Sequence, residues 1–264
     1  MHPNPIHIIS GSYAGAIKAH TGLKQKLQLP SRRNIKRYMI WCFFFCLVVS
    51  LCVPATGQDR MPKIPTGKLT EAQKKAMDEY RAAKGARAEA CRDPRMDQSK
   101  CSAAYFDIHG PMVPLLRSPE VMITAADMGP YLEFKTVLPP MLRELVILIT
   151  ARHWTQQYVW NSHYTSALKT GIAPGVVKAV AEGRRPADMS DEEDIVYEFC
   201  DELNRNHSVS DTTYARALAK FGEQGIVDMV SVDGYYTFLS MVMNVARTPL
   251  PTGASAPALV PLPR

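Results

Sequence analysis

Acidic residues are missing from one end of this chain. Residues 1–57 hold seven lysines and arginines (Lys18, Lys24, Lys26, Arg32, Arg33, Lys36, Arg37) and no aspartate or glutamate. The formal net charge of +6 comes from this segment, because the remainder carries 24 basic and 25 acidic residues. A body so close to neutral has no electrostatic footprint for a phosphate backbone, and no nucleic-acid partner is expected. Glycine is sparse as well. None of the 15 glycines falls in phosphate-loop, dinucleotide-binding or G-x-S-x-G spacing, which sets aside nucleotide-dependent and α/β-hydrolase chemistry. Strand-like alternation is absent at any useful length, leaving an all-α reading. No cluster of His, Cys, Asp and Glu has metal-ligand spacing, so neither metal nor cofactor is expected.

What residues 1–57 do contain is an export pattern. "SRRNIKRY" is basic, "MIWCFFFCLVVSLCV" is an apolar run of fifteen residues, and "PATG" places Ala55 and Gly57 ahead of Gln58. The run has the length of a signal-peptide core and is short for a membrane span of about twenty residues. Residues 1–57 are therefore read as an export signal, which puts the protein in the periplasm or outside the cell. An uncleaved N-terminal membrane anchor is the alternative. Past the leader, the six cysteines reduce to Cys91, Cys101 and Cys200. "CRDPRMDQSKC" is a short polar loop, so Cys91 and Cys101 form a candidate disulfide in an oxidising compartment. Cys200 falls in the apolar pattern Ile195, Val196, Phe199, Leu203 and reads as a small buried hydrophobe.

Residues 58–68 read as a linker, 69–250 as a helical domain, and 251–264 as a Pro-rich disordered tail. Thr70 with Gln73, and Ser190 with Glu193, have the spacing of capping boxes that open helices. Ser118 followed by Pro119 starts another helix, and the prolines of "LPPMLRELVILITARHW" start the next, whose broad apolar set predicts burial. The 91–117 segment reads as a loop. Helix ends are expected at Gly171 and Gly183. Ser210 opens a helix running to Phe221, and "GEQG" opens the last. The result is an all-α helical bundle of about seven or eight helices.

Candidate chemistry gathers at "RHWTQQYVWNSHY", residues 152–164, which contains no acid and no cysteine. With a helix starting near Gln156, Gln156, Val159, His163 and Ala167 share one face. A histidine there is either a hydrogen-bonded core group or a general acid/base, and the second role needs a carboxylate within reach. Glu144 is the candidate partner. It lies in "RELVILIT" on a helix joined to this one by a tight turn, so the two helices would pack as an antiparallel hairpin. A separation beyond about 6 Å would end the pairing.

"LPPMLRELVILITARHW…YVWNSHYTSALKTGI" followed by "FGEQGIVDMVSVDGYYTFLSMVMNV" resembles the carboxymuconolactone decarboxylase family, which includes the alkylhydroperoxidase D-like proteins. The resemblance runs from about residue 105 to 250. It implies an all-helical, alkylhydroperoxidase D-like fold and homo-oligomers, commonly trimers or hexamers. The peroxidase branch carries a glutamate, a C-x-x-C twelve residues on, and a histidine four residues beyond. Here these positions fall on Glu144, Gln156, Val159 and His163. Glutamine and valine cannot perform the thiolate chemistry of the missing pair, which disfavours thiol peroxidase (peroxiredoxin) activity. The decarboxylase branch needs no cysteine, although many of its relatives carry an acid near Val159. The resemblance thus implies a cofactor-independent lyase or isomerase acting on a small carboxylated lactone or related organic acid. His163, Glu144 and His153 would be its catalytic groups, and Trp154, Gln156, Tyr158 and Trp160 would line its pocket. A non-catalytic oligomeric binding protein is the remaining alternative.

Overall fold

The computed structural model describes residues 58–90 and 107–260, with the backbone alone for 84–90. The leader and the Cys91–Cys101 pairing lie outside the described residues. Within them the fold is all-α. Eight helices run in order: α1 (Glu71–Ala90), α2 (Met112–Leu115), α3 (Pro119–Phe134), α4 (Pro140–His153), α5 (Gln157–Lys169), α6 (Pro174–Ala181), α7 (Asp191–Asn206) and α8 (Asp211–Ala246).

Local chemistry accounts for most of the boundaries. Thr70 and Gln73 exchange side-chain hydrogen bonds with each other's backbone N–H at the head of α1, and Ser190 and Glu193 do the same at the head of α7. Each reciprocal pair satisfies two N–H groups that a helix start would otherwise leave open. Pro119, Pro140 and Pro174 occupy the first position of α3, α4 and α6, where a missing N–H costs nothing. The segment expected to be a loop contains the short helix α2. The last two expected helices run together as α8, with a break at Gly222 (φ 65°, ψ 178°). Only glycine holds such a conformation readily.

α4 is the hub. Leu142 and every residue from Glu144 to Arg152 are buried, and α5, α6, α7 and α8 all pack on it. This all-round burial matches its broad apolar set. Truncating one of its inner leucines, such as Leu145 or Leu148, would cost about 2–5 kcal/mol.

The C-terminal tail departs from expectation. Residues 251–260 are docked rather than loose. Asn161 Oδ1 accepts from the N–H groups of Ser255 and Ala256, and Gln157 Oε1 accepts from Leu259 N–H at 2.6 Å. Leu259 itself is buried. Two amide side chains on α5 thus satisfy backbone groups that proline-rich sequence cannot pair internally.

Candidate functional site

The turn between α4 and α5 sets the site. It spans Trp154 to Gln156, and Thr155 adopts a left-handed backbone (φ 46°). A β-branched residue is strained there. The conformation lets Gln156 N–H reach back to Ala151 C=O at 2.8 Å. It also places Gln156 as the cap of α5, with its side-chain oxygen accepting from Tyr158 N–H at 2.6 Å. The hairpin then folds tightly enough to bring residues nineteen apart in sequence face to face.

His163 Nδ1 lies 2.8 Å from Glu144 Oε2, with the side chains 15% and 5% exposed. With Glu144 ionised, its carboxylate could only accept, which would put the ring proton on Nδ1 and leave Nε2 as the unprotonated nitrogen. Tyr236 from α8 stands edge-on to the imidazole, with ring centroids 5.0 Å apart. Tyr235 beside it anchors the helix by donating to Ala125 C=O.

His153, predicted to join this group, does not. It sits at the C-terminal end of α4, and its Nε2 lies 3.0 Å from Asp201 Oδ1 on α7. Arg205 Nε donates to the same oxygen at 2.9 Å. Burial works against the Asp201 carboxylate, but the His153 and Arg205 hydrogen bonds and charges outweigh it and hold its pKa below the ordinary value. The predicted trio is therefore split into two histidine–carboxylate pairs. The separation follows from helix geometry: nine residues along α4 carry position 153 about 13 Å from position 144.

A cleft of about 520 Å³ lies beside His153, without Asp201 in its lining. Its lining includes His153, Trp154, Asn204, His207, Asp233 and Thr237. Asn204 donates to Asp233 Oδ2 at 2.7 Å, Thr237 donates to Asp233 Oδ1 at 3.4 Å, and Trp154 Nε1 donates to Thr237 Oγ1 at 3.0 Å. Burial pushes the Asp233 pKa up, and these hydrogen bonds offset only part of the shift.

Of the four predicted pocket residues, Trp154 alone lines this cleft. Trp160 is fully buried and belongs to the core, which corrects its expected place in a binding pocket. Gln156 is also buried. Besides capping α5, it donates to Asn244 Oδ1 at 2.9 Å, and Asn244 in turn donates to Trp154 C=O. Tyr158 is half-buried, with its ring against Gly110, where a Cβ would come within 2.8 Å of it. Neither this cleft nor the smaller cavity beside Arg152 is lined by Glu144 or His163.

Cys200 is buried, as its apolar pattern indicated. Burial and the nearby Asp233 carboxylate push its thiol pKa well up, the reverse of what a reactive thiolate requires. Among the described residues, no group of three or more His, Cys, Asp or Glu is placed to hold a metal ion. No helix among them is long and apolar enough to cross a membrane.

Sequence reasoning missed Asp201, Asn204 and Thr237. Asp201 with Arg205 has the i,i+4 spacing of a helix ion pair, but nothing in that spacing points to His153. Asp233 is an acid in the largely apolar run "IVDMVSVDGYY" of α8. No known family model matches the chain, and no curated protein matches it either.

Proposed function

We propose that this protein is a cofactor-independent lyase or isomerase acting on a small carboxylated lactone or related organic acid, with His163 as general acid/base and Glu144 as its orienting partner. The observation that carries this reading is the 2.8 Å contact between Glu144 and His163. A buried carboxylate that fixes the tautomer of a half-buried imidazole is the arrangement proton transfer at carbon calls for.

In the proposed reaction, the bond from the ring to the substrate carboxylate breaks and CO₂ leaves. The electron pair passes into the conjugated enolate. The imidazolium of His163 then protonates the carbanion carbon through Nε2, and solvent restores the proton. Glu144 stabilises the cationic ring before that transfer and again once solvent has reprotonated it. An isomerase would use the same proton in both directions.

The cleft favours a second placement of the same chemistry, in which His153, held by Asp201, is the acid/base group. Turnover of candidate lactones by wild type, His163→Ala and His153→Ala separates the two. Loss with His163→Ala alone supports the first placement, and loss with His153→Ala alone replaces it. If both variants retain activity, the acid/base reading falls. Peroxide turnover that depends on Cys200 would reinstate the peroxidase alternative, against which its burial and raised pKa both count.

The reading includes export and assembly into a homo-oligomer. Exposed apolar side chains such as Phe134, Val137, Val227 and Val245 support the assembly, and sedimentation velocity tests it.

A further inference from the structure

The outer face of α8 carries no charge. Between Gln224 and Ala246 the only charged residues are Asp228 and Asp233, and both are buried. The solvent side instead presents Val227, Val230, Gly234, Phe238, Met241 and Val245, of which Phe238 is partly buried and the rest are exposed. At 3.6 residues per turn these six fall within about 80° of arc, in a stripe about 27 Å long. Val227 and Val245, at its two ends, are 62% and 58% exposed. A solvated helix face normally bears charged residues, so an apolar stripe of this length marks a surface that another element covers.

The stripe is close to palindromic. Turned end for end about the level of Tyr236, Val227 meets Val245, Val230 meets Val242 and Gly234 meets Phe238. A Cβ at Gly234 would meet nothing within 4 Å, so the helix has an open notch there. Each copy thus offers an aromatic knob and, four residues away, a hole to receive it. The ends match in charge as well. Glu223 stands at the head of the stripe, and at its foot Arg60 Nη1 donates to Val245 C=O at 3.4 Å. Antiparallel pairing brings these opposite charges together at both ends. The stripe lacks the lysines and arginines with which an interfacial helix holds a lipid surface.

We propose that α8 pairs antiparallel with α8 of a second copy about a two-fold axis level with Tyr236, seating the partner's Phe238 over Gly234. The proposal rests on the homo-oligomer proposed above and gives it a surface and a symmetry. Val137, whose N–H donates to Asp228, extends the patch at the head of the stripe, and Leu250 extends it past the foot; both are exposed. With them the covered area reaches about 600 Å² per copy, where stable interfaces begin. The pairing bears on the cleft beside His153. Val230 and Gly234 line it from α8, so the partner's Phe238 closes that wall, and the cleft is complete only in the dimer.

The test is a pair of cysteines. Val227 and Val245 lie about 27 Å apart on one helix, too far for a disulfide within a chain. In protein carrying both Val227→Cys and Val245→Cys, mild oxidation should give a covalent dimer, and peptide mapping should place the bond between residues 227 and 245. Neither single variant should cross-link at its new cysteine. Gly234→Leu puts its Cβ in the open notch and should raise the dimer dissociation constant about tenfold or more in sedimentation velocity. The mapped bond decides the matter even if Gly234→Leu fails to fold. Three results overturn the pairing and leave the homo-oligomer standing. They are a double variant that assembles without the 227–245 bond, a Gly234→Leu protein that assembles as tightly as wild type, and a closed trimer, which has no two-fold axis. A monomeric wild type overturns both.

Discussion

The two histidine–carboxylate pairs are alike in composition and unlike in setting. Glu144 and His163 meet across a tight helical hairpin, and the carboxylate sits among the buried aliphatic side chains of α4. His153 and Asp201 meet between α4 and α7 at the rim of a cleft, and the carboxylate there also serves Arg205. In the aliphatic setting each hydrogen bond is electrostatically stronger, and losing a partner costs more. At the rim, Arg205 and solvent share the load. The first setting suits a fixed proton relay, and the second suits a clamp that shapes the cleft wall.

The sharpest way to break this comparison is catalytic. His163→Ala should lower kcat/KM for a responsive lactone by about 10²–10⁴-fold, the usual contribution of a general acid/base, while His153→Ala should cost less than about tenfold. Steady-state kinetics alongside melting curves would show it, and the reverse ranking would move the relay to the cleft.

Stability gives a smaller contrast. Glu144→Ala should cost about 2–3 kcal/mol in urea unfolding, because it strips a buried partner from an imidazole. Asp201→Ala should cost about 1 kcal/mol, since its partners can turn to water. Equal losses would mean that the two settings do not differ as the burial suggests.

Acid should then sharpen the rim pair. The Asp201 pKa is lower in the folded protein than its ordinary 3.8. Its ionised form therefore contributes stability above that value and loses it as the pH falls through the folded pKa. The stability gap between wild type and Asp201→Ala should be level above about pH 5 and should close below 3.8. Unfolding titrations at stepped pH measure it, and a gap that widens in acid contradicts the sign.

The smallest effect belongs to the hairpin that makes the comparison possible. Thr155→Gly removes the strain of a β-branched residue in the left-handed region but adds chain entropy to the unfolded state. It should stabilise the protein by about 0.5–1 kcal/mol. A loss of stability would mean that the Thr155 side chain holds the turn.

Much of the fold was legible along the chain because helix signals are local. The Thr70–Gln73 and Ser190–Glu193 pairs, the prolines opening α3, α4 and α6, and the glycine at residue 171 each act within one turn of where they stand. The pairing of Glu144 with His163 was legible too, since a short turn between two strong helices leaves few ways to fold them back. The docking of the tail was hidden, because proline-rich sequence says only that it will not be helical. Asn161 and Gln157, which hold it, are about a hundred residues away.

By itself, the sequence determined that the protein is helical, where most helices start, that Cys200 is interior, and that the positions four and seven residues before His163 carry no thiol. These are matters of local preference, hydrophobic period and residue identity. Tertiary structure alone decided that His153 belongs to Asp201 rather than to His163, that Trp160 is core while Trp154 faces a cleft, and that Arg152 is sealed in without a protein partner. Each depends on which helix packs against which face of α4, and that is set by long-range burial that no local pattern encodes.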